Sequence, residues 1–126
     1  MTLSLTNADR AAIRATVTAQ LEAFQQDDGD RAFSYASPDI RAKMGTAANF
    51  MYMVRAAYDP VYRPRSVLFG DLTHIEDTPA QTVMLHDRHG HLITALYLME
   101  RQSDRSWKIS GCFLVPMEDD PPTRPE

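Results

Sequence analysis

The first half of the chain carries apolar residues three or four positions apart, which is the spacing of one face of an α-helix. The first such run consists of Ile13, Val17, Leu21 and Phe24. It predicts a long amphipathic helix with its N-cap at Asn7, because an asparagine side chain readily accepts the free N–H groups of a first turn. Gly29 follows the run closely and predicts where this helix ends.

Shorter helices are predicted beyond it. One is expected over residues 30–35, and the next starts at the Ser-Pro pair 37–38, because serine caps a helix and proline fits its first position. Gly45 ends that helix, and Thr46 begins another. The two prolines within residues 59–65 predict an extended connection or a sheet edge at this point.

The second half of the chain has the two-residue period of β-strands. Strands are predicted over residues 66–75, 81–87 and 91–101, and from Trp107 onward. Gly70 and Asp71 predict a β-bulge in the first strand, and the turn from Asp87 to Gly90 fits a type I turn closed by a glycine. Helices followed by an antiparallel meander predict an α+β fold with the helices on one face of the sheet.

The chain has the length of one domain. With 126 residues it is long enough to bury a core. We predict a single domain over residues 1–116. Residues 117–126 are acidic and proline-rich and lack a large apolar side chain after Met117, which predicts a disordered tail.

Both faces of the predicted sheet are apolar. With Asp87 paired to His91, one face carries Val83, Leu85, Ile93, Ala95, Tyr97 and Met99. The opposite face carries Met84, Leu92, Leu96 and Leu98. Since an antiparallel sheet with one wet face alternates more cleanly, both faces are expected to be covered. Helices can cover only one of them, and we therefore expect a homodimer that forms through the sheet.

Composition and charge exclude several classes of partner. Thirteen lysines and arginines against seventeen aspartates and glutamates give a net charge of −4, which argues against nucleic acid and anionic membranes as partners. No stretch approaches the roughly 20 apolar residues that cross a bilayer, and no secretory leader pattern opens the chain. A single cysteine excludes an intrachain disulfide and fits a reducing cytoplasm.

Residues spread over most of the chain resemble one family, the domain of unknown function 4864. They are Gln20 to Phe24, Asp28, Ala32-Phe33, Ala36 to Pro38, Phe50, Met53-Val54, Tyr58, Pro60-Val61, Pro64, Gly90, Tyr97, Trp107 to Ile109 and Gly111-Cys112. The family is similar to the nuclear transport factor 2-like superfamily, with its SnoaL-like and ketosteroid-isomerase-like members. The resemblance implies a cystatin-like cone, in which helices lie in a strongly curved antiparallel sheet, with frequent dimers and a pocket at the open end. It supplies no substrate, because isomerases, dehydratases, cyclases and non-catalytic binders share this shape.

The aromatic residues suggest what lines such a pocket. A tyrosine joins a large apolar face to one hydroxyl, which suits an amphipathic small molecule. We predict that the ligand-binding residues are Tyr35, Tyr58, Tyr97 and Trp107. The favoured function is therefore the binding of a small apolar or amphipathic molecule without catalysis and without a cofactor.

Two alternatives stay open. An isomerase, dehydratase or cyclase would need a general base, and His74 and Asp87 are the candidates, although Asp87 fits a turn cap equally well. The inner strand positions hold neither a carboxylate nor a histidine, if Trp107, Ile109 and Phe113 point inward. The other alternative is a protein-interaction module that uses the outer face of the sheet.

Other reactive residues have simpler interpretations. His86, His89 and His91 cluster at one hairpin end, where a metal site is the less favoured interpretation, and no metal is predicted. Cys112 lacks a sequence partner that would activate its thiol and is expected to be a small buried hydrophobe. The third group is Arg55, Arg63 and Arg65. These arginines could hold a carboxylate at the mouth of the pocket. The favoured interpretation is that they form surface ion pairs with Asp59 and Asp71.

Overall fold

The computed structural model describes residues 5–116, which form five helices followed by four strands. The helices are α1 (Asn7–Gln25), α2 (Gly29–Ser34), α3 (Pro38–Met44), α4 (Ala47–Ala57) and α5 (Asp59–Tyr62). The strands are β1 (Ser66–Ile75), β2 (Thr78–His86), β3 (Leu92–Arg101) and β4 (Trp107–Pro116). This order confirms the predicted α+β fold. The tail predicted over residues 117–126 lies outside the described residues.

The N-cap of the first helix lies one residue earlier than predicted. Thr6 is the N-cap, and its hydroxyl accepts the Asp9 N–H at 3.0 Å while the Asp9 carboxylate accepts the Thr6 N–H at 3.0 Å. This reciprocal capping box satisfies two N–H groups, which the predicted cap Asn7 would not do. The assignment of the cap to Asn7 was therefore wrong.

The central helices follow their sequence signals. The Ser37 hydroxyl accepts the Ile40 N–H at 3.3 Å, and Pro38 occupies the first turn of α3. Gly45 ends this helix at a φ of +82°, a left-handed conformation that favours glycine. The helix predicted after Thr46 is confirmed as α4, with Thr46 as its cap.

The segment with two prolines contains a helix, contrary to the prediction of an extended connection. Residues Asp59–Tyr62 form the single turn α5, with Pro60 near its start. Proline lacks an N–H, but the first turn of a helix leaves that N–H unbonded in any case, so proline is tolerated there.

The four strands form one antiparallel sheet in the order β1-β2-β3-β4. The helices pack on one face, which we call the inner face. Its buried side chains are Val83, Leu85, Ala95, Tyr97, Met99, Trp107 and Ile109. Together with Ile13, Val17 and Phe24 of α1 they form the hydrophobic core.

Two bulges set which side chains point inward. The predicted bulge at Gly70 is confirmed by a shift of register between Phe69 and Leu72. A second shift lies between Leu98 and Met99, where the pairing on β4 jumps from Gly111 to Ile109. The extra residue, Ser110, reverses the alternation beyond it.

Phe113 therefore lies on the outer face, and its prediction as an inner residue was wrong. Its side chain is 56% exposed, whereas Cys112 and Leu114 pack against the core. An uninterrupted alternation would turn Phe113 inward. The bulge shifts the inward positions in the second half of β4 by one residue.

The outer face of the sheet has no helix packed on it within the described residues. It carries Leu68, Met84, Leu92, Leu96, Leu98, Phe113 and Val115, all partly or fully exposed. The exposed fractions of Leu68 and Val115 are 63% and 50%. Both faces are therefore apolar, as the pattern predicted, and the outer one is open to solvent in a single chain.

The junction between α2 and α3 is attached to β4. The Ser37 N–H donates to the Ile109 carbonyl at 2.8 Å, and the Ile109 N–H donates to the Tyr35 carbonyl at 2.8 Å. Ala36 and Ile109 thus form a parallel bridge. This bridge fixes the start of α3 against the sheet. None of the described helices has the length and apolar composition needed to cross a membrane.

Candidate functional site

A cavity of about 290 Å³ lies between the helices and the inner face of the sheet. Its lining from the helical half of the chain is Gln20, Phe24, Ala36, Ile40, Lys43, Met44, Phe50, Met53, Val54, Tyr58 and Val61. Its lining from the sheet is Tyr97, Ile109, Gly111 and Cys112. Most of these side chains are apolar, as is usual for a site that binds a small molecule.

The volume limits the size of an occupant. A water molecule takes about 30 Å³ of liquid volume, so the cavity can hold a molecule of about ten non-hydrogen atoms. The two methionines, two phenylalanines and the aliphatic residues around it offer dispersion contacts but few directional bonds. Met44 and Met53 can change rotamer at low cost, which would let the cavity adapt its shape.

Tyr97 lies at the buried end of the cavity. It is 1% exposed, and its hydroxyl has no hydrogen-bond partner among the described residues. Burial raises the pKa of Tyr97 well above its usual value, and the neighbouring Cys112 adds to the rise. The hydroxyl is therefore neutral at any physiological pH and can donate one hydrogen bond.

Cys112 faces Tyr97 across the β3–β4 pair and lines the same end of the cavity. Burial raises the pKa of its thiol to about 12, and the neighbouring Tyr97 hydroxyl opposes only part of that rise. Since the thiolate is the reactive form, this cysteine is not activated as a nucleophile. The structure agrees with its interpretation as a small hydrophobe.

Gln20 contributes a buried amide to the wall. Its Nε2 donates to the Ala32 carbonyl at 3.1 Å, which connects α1 to α2 and fixes the orientation of the side chain. No described residue donates to its carbonyl oxygen. The amide therefore presents an available acceptor in a largely apolar surrounding.

Lys43 contributes an exposed side chain to the lining of the cavity. It lies in the last turn of α3 and forms no ion pair with any residue in the described part of the chain. It is the one charged side chain among the described lining residues. The cavity lining thus combines one exposed cation with the buried, neutral hydroxyl of Tyr97.

The structure separates the four predicted ligand-binding residues into two pairs. Tyr58 and Tyr97 line the cavity, and Tyr35 and Trp107 are not among its lining residues. The Tyr35 hydroxyl accepts a hydrogen bond from Arg31 Nε at 3.3 Å, and the Trp107 ring lies 5.0 Å below the guanidinium of Arg101.

Sequence reasoning missed two of the lining residues of α3, Ile40 and Lys43. Ile40 and Met44 are four residues apart, so they share one face of this helix, and Lys43 lies beside them. That short apolar spacing was the available signal. It was insufficient by itself, because a helix of two turns does not reveal against which element its face will pack.

The two candidate bases lie apart from the cavity lining. The Asp87 carboxylate caps its turn by accepting the N–H groups of His89 at 2.9 Å and His91 at 2.8 Å. Burial raises its pKa, but these backbone hydrogen bonds and the His91 ring outweigh that effect, so the pKa of Asp87 is lowered. His74 lies near the end of β1, where its Nε2 is buried without a partner among the described residues.

The histidines at the hairpin end have separate partners. His86 Nδ1 shares a hydrogen bond with the Ser66 hydroxyl at 2.7 Å, and His91 Nδ1 lies 3.3 Å from the Asp87 carboxylate. The rings of His89 and His91 have centroids 6.2 Å apart. Within residues 5–116 no three histidine, cysteine or acidic side chains are placed to hold a metal ion.

The arginine cluster is occupied by other contacts. Arg63 pairs with Asp27 at 2.9 Å and donates to the Phe24 carbonyl at 2.8 Å, while Asp59 pairs with Arg88. Surface ion pairs therefore form as predicted, but between other partners: Arg63 pairs with Asp27, and Asp59 pairs with Arg88. Arg55 and Arg65 are likewise absent from the described cavity lining.

One comparison with known proteins gave a match. The family model described as domain of unknown function (DUF4864) matches residues 6–121. Neither the curated proteins nor the solved structures include one that matches this chain.

Proposed function

Since the chain belongs to the DUF4864 family, whose description states no activity, we propose from the site itself that this domain binds a small apolar or amphipathic molecule without catalysis. The observation that carries the proposal is the apolar cavity of about 290 Å³ between α3, α4 and the inner face of the sheet. Folding normally eliminates such a volume, because cavities in a core cost free energy.

The chemistry of the lining favours binding over an enzyme. A general base would be a carboxylate or a histidine, and the described lining residues include neither. Cys112 has a raised pKa, so a covalent route through its thiol is disfavoured as well. We also propose that the chain belongs to the nuclear transport factor 2-like superfamily and that it is located in a reducing cytoplasm.

Occupancy of the cavity can be tested with a blocking variant. Met44→Trp would place a large ring in the cavity, and Tyr52→Trp, on the exposed side of α4, is the matched control. We expect octan-1-ol or octanoate to raise the melting temperature of the parent chain and of Tyr52→Trp, but not of Met44→Trp. Binding that survives Met44→Trp, or no binding of either probe, would contradict the proposal.

We further propose that two copies associate through the outer face of the sheet. Along β3 and its neighbours this face is free of charge from Leu92 to Leu98, so it can meet its own copy across a two-fold axis without like-charge repulsion. Exposed side chains such as Leu68 and Phe113 would be buried by this contact.

The size of the face is sufficient for a dimer. Strands of 10 residues are about 33 Å long, and four strands are about 19 Å wide, which gives about 630 Å² per copy. The total exceeds the roughly 1,000 Å² that a specific interface requires. No part of the helical layer competes for this surface within the described residues.

Sedimentation equilibrium distinguishes this dimer from the alternative of an interaction module. We expect the parent chain and Tyr52→Lys to have twice the mass of 14.2 kDa, and Phe113→Lys to have the mass of a monomer. A parent chain that is monomeric at micromolar concentration would refute the homodimer. The outer face would then be available for a different protein.

A further inference from the structure

The cavity has a charge asymmetry that the proposed function does not use. Among the described residues that line the cavity, Lys43 is the one with a charged side chain, and the others are neutral. An ammonium group beside an apolar cavity attracts an anion more strongly than it would in open water, because the low-polarity wall reduces screening.

Lys43 is also free to engage a ligand. It forms no ion pair or hydrogen bond with the described residues, whereas Arg31, Arg63 and Arg88 each pair with a carboxylate. The described chain contains only one other lysine, and that one, Lys108, donates to the Ser34 carbonyl at 2.8 Å. Lys43 therefore combines three properties: it is charged, unpaired and part of the cavity wall.

On the basis of the proposed function, we infer that the ligand is a monocarboxylate of about ten non-hydrogen atoms, with its carboxylate at Lys43 and its apolar body in the cavity. A single ammonium group matches one negative charge. A phosphate would require additional donors, and the described lining supplies neither an arginine nor a second lysine. Octanoate has the required size and charge.

Three eight-carbon probes isolate the contribution of the head group. Octanoate, octan-1-ol and octylamine share one chain and differ in charge. We expect octanoate to bind the parent chain about fivefold more tightly than octan-1-ol, and octylamine to bind most weakly, as one partly exposed ion pair would give. This preference should decrease with rising salt, because the opening is accessible to counter-ions.

Variants at one position separate charge from packing. Lys43→Gln should equalise octanoate and octan-1-ol, and Lys43→Glu should reverse the order so that octylamine binds more tightly than octanoate. Arg41→Gln is the matched control, since Arg41 lies in the same last turn of α3 but is absent from the cavity lining. It should retain the parent preference.

The outcomes distinguish the two proposals. Equal binding of octanoate and octan-1-ol by the parent chain, or an unchanged preference in Lys43→Gln, would refute the carboxylate inference and leave the cavity as a binding site. If none of the three probes binds, both proposals fail. A preference that Arg41→Gln removes as well would show that general positive charge, and not Lys43, attracts the acid.

Discussion

Tyr97 and Cys112 occupy directly opposed positions on β3 and β4, and both side chains point into the same cavity. The bulge at Ser110 produces this pairing, because it turns Cys112 inward and Phe113 outward. Two polar atoms thus lie side by side in an apolar surrounding, and each changes the pKa of the other.

The thiol of Cys112 should react slowly in the folded protein. Its pKa rises from 9.0 to about 12, a difference of three pH units, so the native state holds about a thousandfold less thiolate than the unfolded chain at neutral pH. We expect alkylation by iodoacetamide to be correspondingly slower in buffer than in concentrated urea. Equal rates in the two solvents would mean that burial does not protect the sulfur.

Removal of the Tyr97 hydroxyl should not destabilise the empty protein. A buried hydroxyl without a partner costs about 1–3 kcal/mol of folding free energy, and Tyr97→Phe removes that cost while keeping the ring. We expect the free energy of unfolding to stay constant or to increase by about 1 kcal/mol in urea titrations.

Tyr97→Ala is the contrasting variant. It removes the buried ring and should lower the free energy of unfolding by about 3–5 kcal/mol. A loss of more than about 1 kcal/mol in Tyr97→Phe would indicate that the hydroxyl has a partner that the structure does not show.

The stability contributed by Asp27 should depend on pH. A hydrogen bond from Tyr62 lowers the pKa of Asp27 from 3.8, desolvation opposes this, and the ion pair with Arg63 adds to the decrease. A carboxyl whose folded-state pKa is lowered stabilises the fold fully above its unfolded pKa and loses this effect as the pH falls through the folded pKa. Asp27→Asn should therefore lower the melting temperature near neutral pH but leave it almost unchanged at the acid end of the titration.

Asparagine is a suitable replacement, because Asp27 has a φ of +53°, a conformation that asparagine also tolerates. Tyr62→Phe removes the same hydrogen bond from the other side. The two substitutions should therefore be less than additive in the double variant. A constant difference between parent and Asp27→Asn across the acid range would show that the charge is not responsible.

The cap of α3 should be worth about 1 kcal/mol, the usual value for a serine N-cap. Ser37 is buried, and its hydroxyl accepts the Ile40 N–H, so Ser37→Ala leaves one N–H without a partner. Urea unfolding should show this loss. Ser34→Ala, at an exposed position at the end of α2, should change stability by less than about 0.5 kcal/mol.

Local signals predicted the helices and strands well. Ser37, Pro38 and Gly45 define α3, and each acts through its own backbone or its immediate neighbours. The bulge at Gly70 was likewise predictable, since a glycine within a strand pattern marks one. The errors at the cap of α1 and in α5 are also local, because two adjacent residues could serve as the cap and proline is compatible with both a helix start and an extended segment.

The site was less predictable, because it depends on tertiary packing. The bulge at Ser110 has no glycine or proline signal at the extra residue, yet it decides whether Phe113 or Cys112 faces the cavity. Tyr58 and Tyr97 were predicted as lining residues and do line the cavity, whereas Ile40 and Lys43 on α3 were not predicted. Their position follows from how a short helix docks on β4, which periodicity does not specify.

The bridge between Ala36 and Ile109 has a consequence for how fast a molecule could enter. Its two hydrogen bonds hold the start of α3 to Ile109, near the start of β4, so the wall that carries Ile40 and Lys43 cannot swing away as a hinged flap. Entry would then proceed through an aperture that is already open. Stopped-flow traces should show one exponential whose rate rises linearly with probe concentration, without the plateau that a slow gating step imposes.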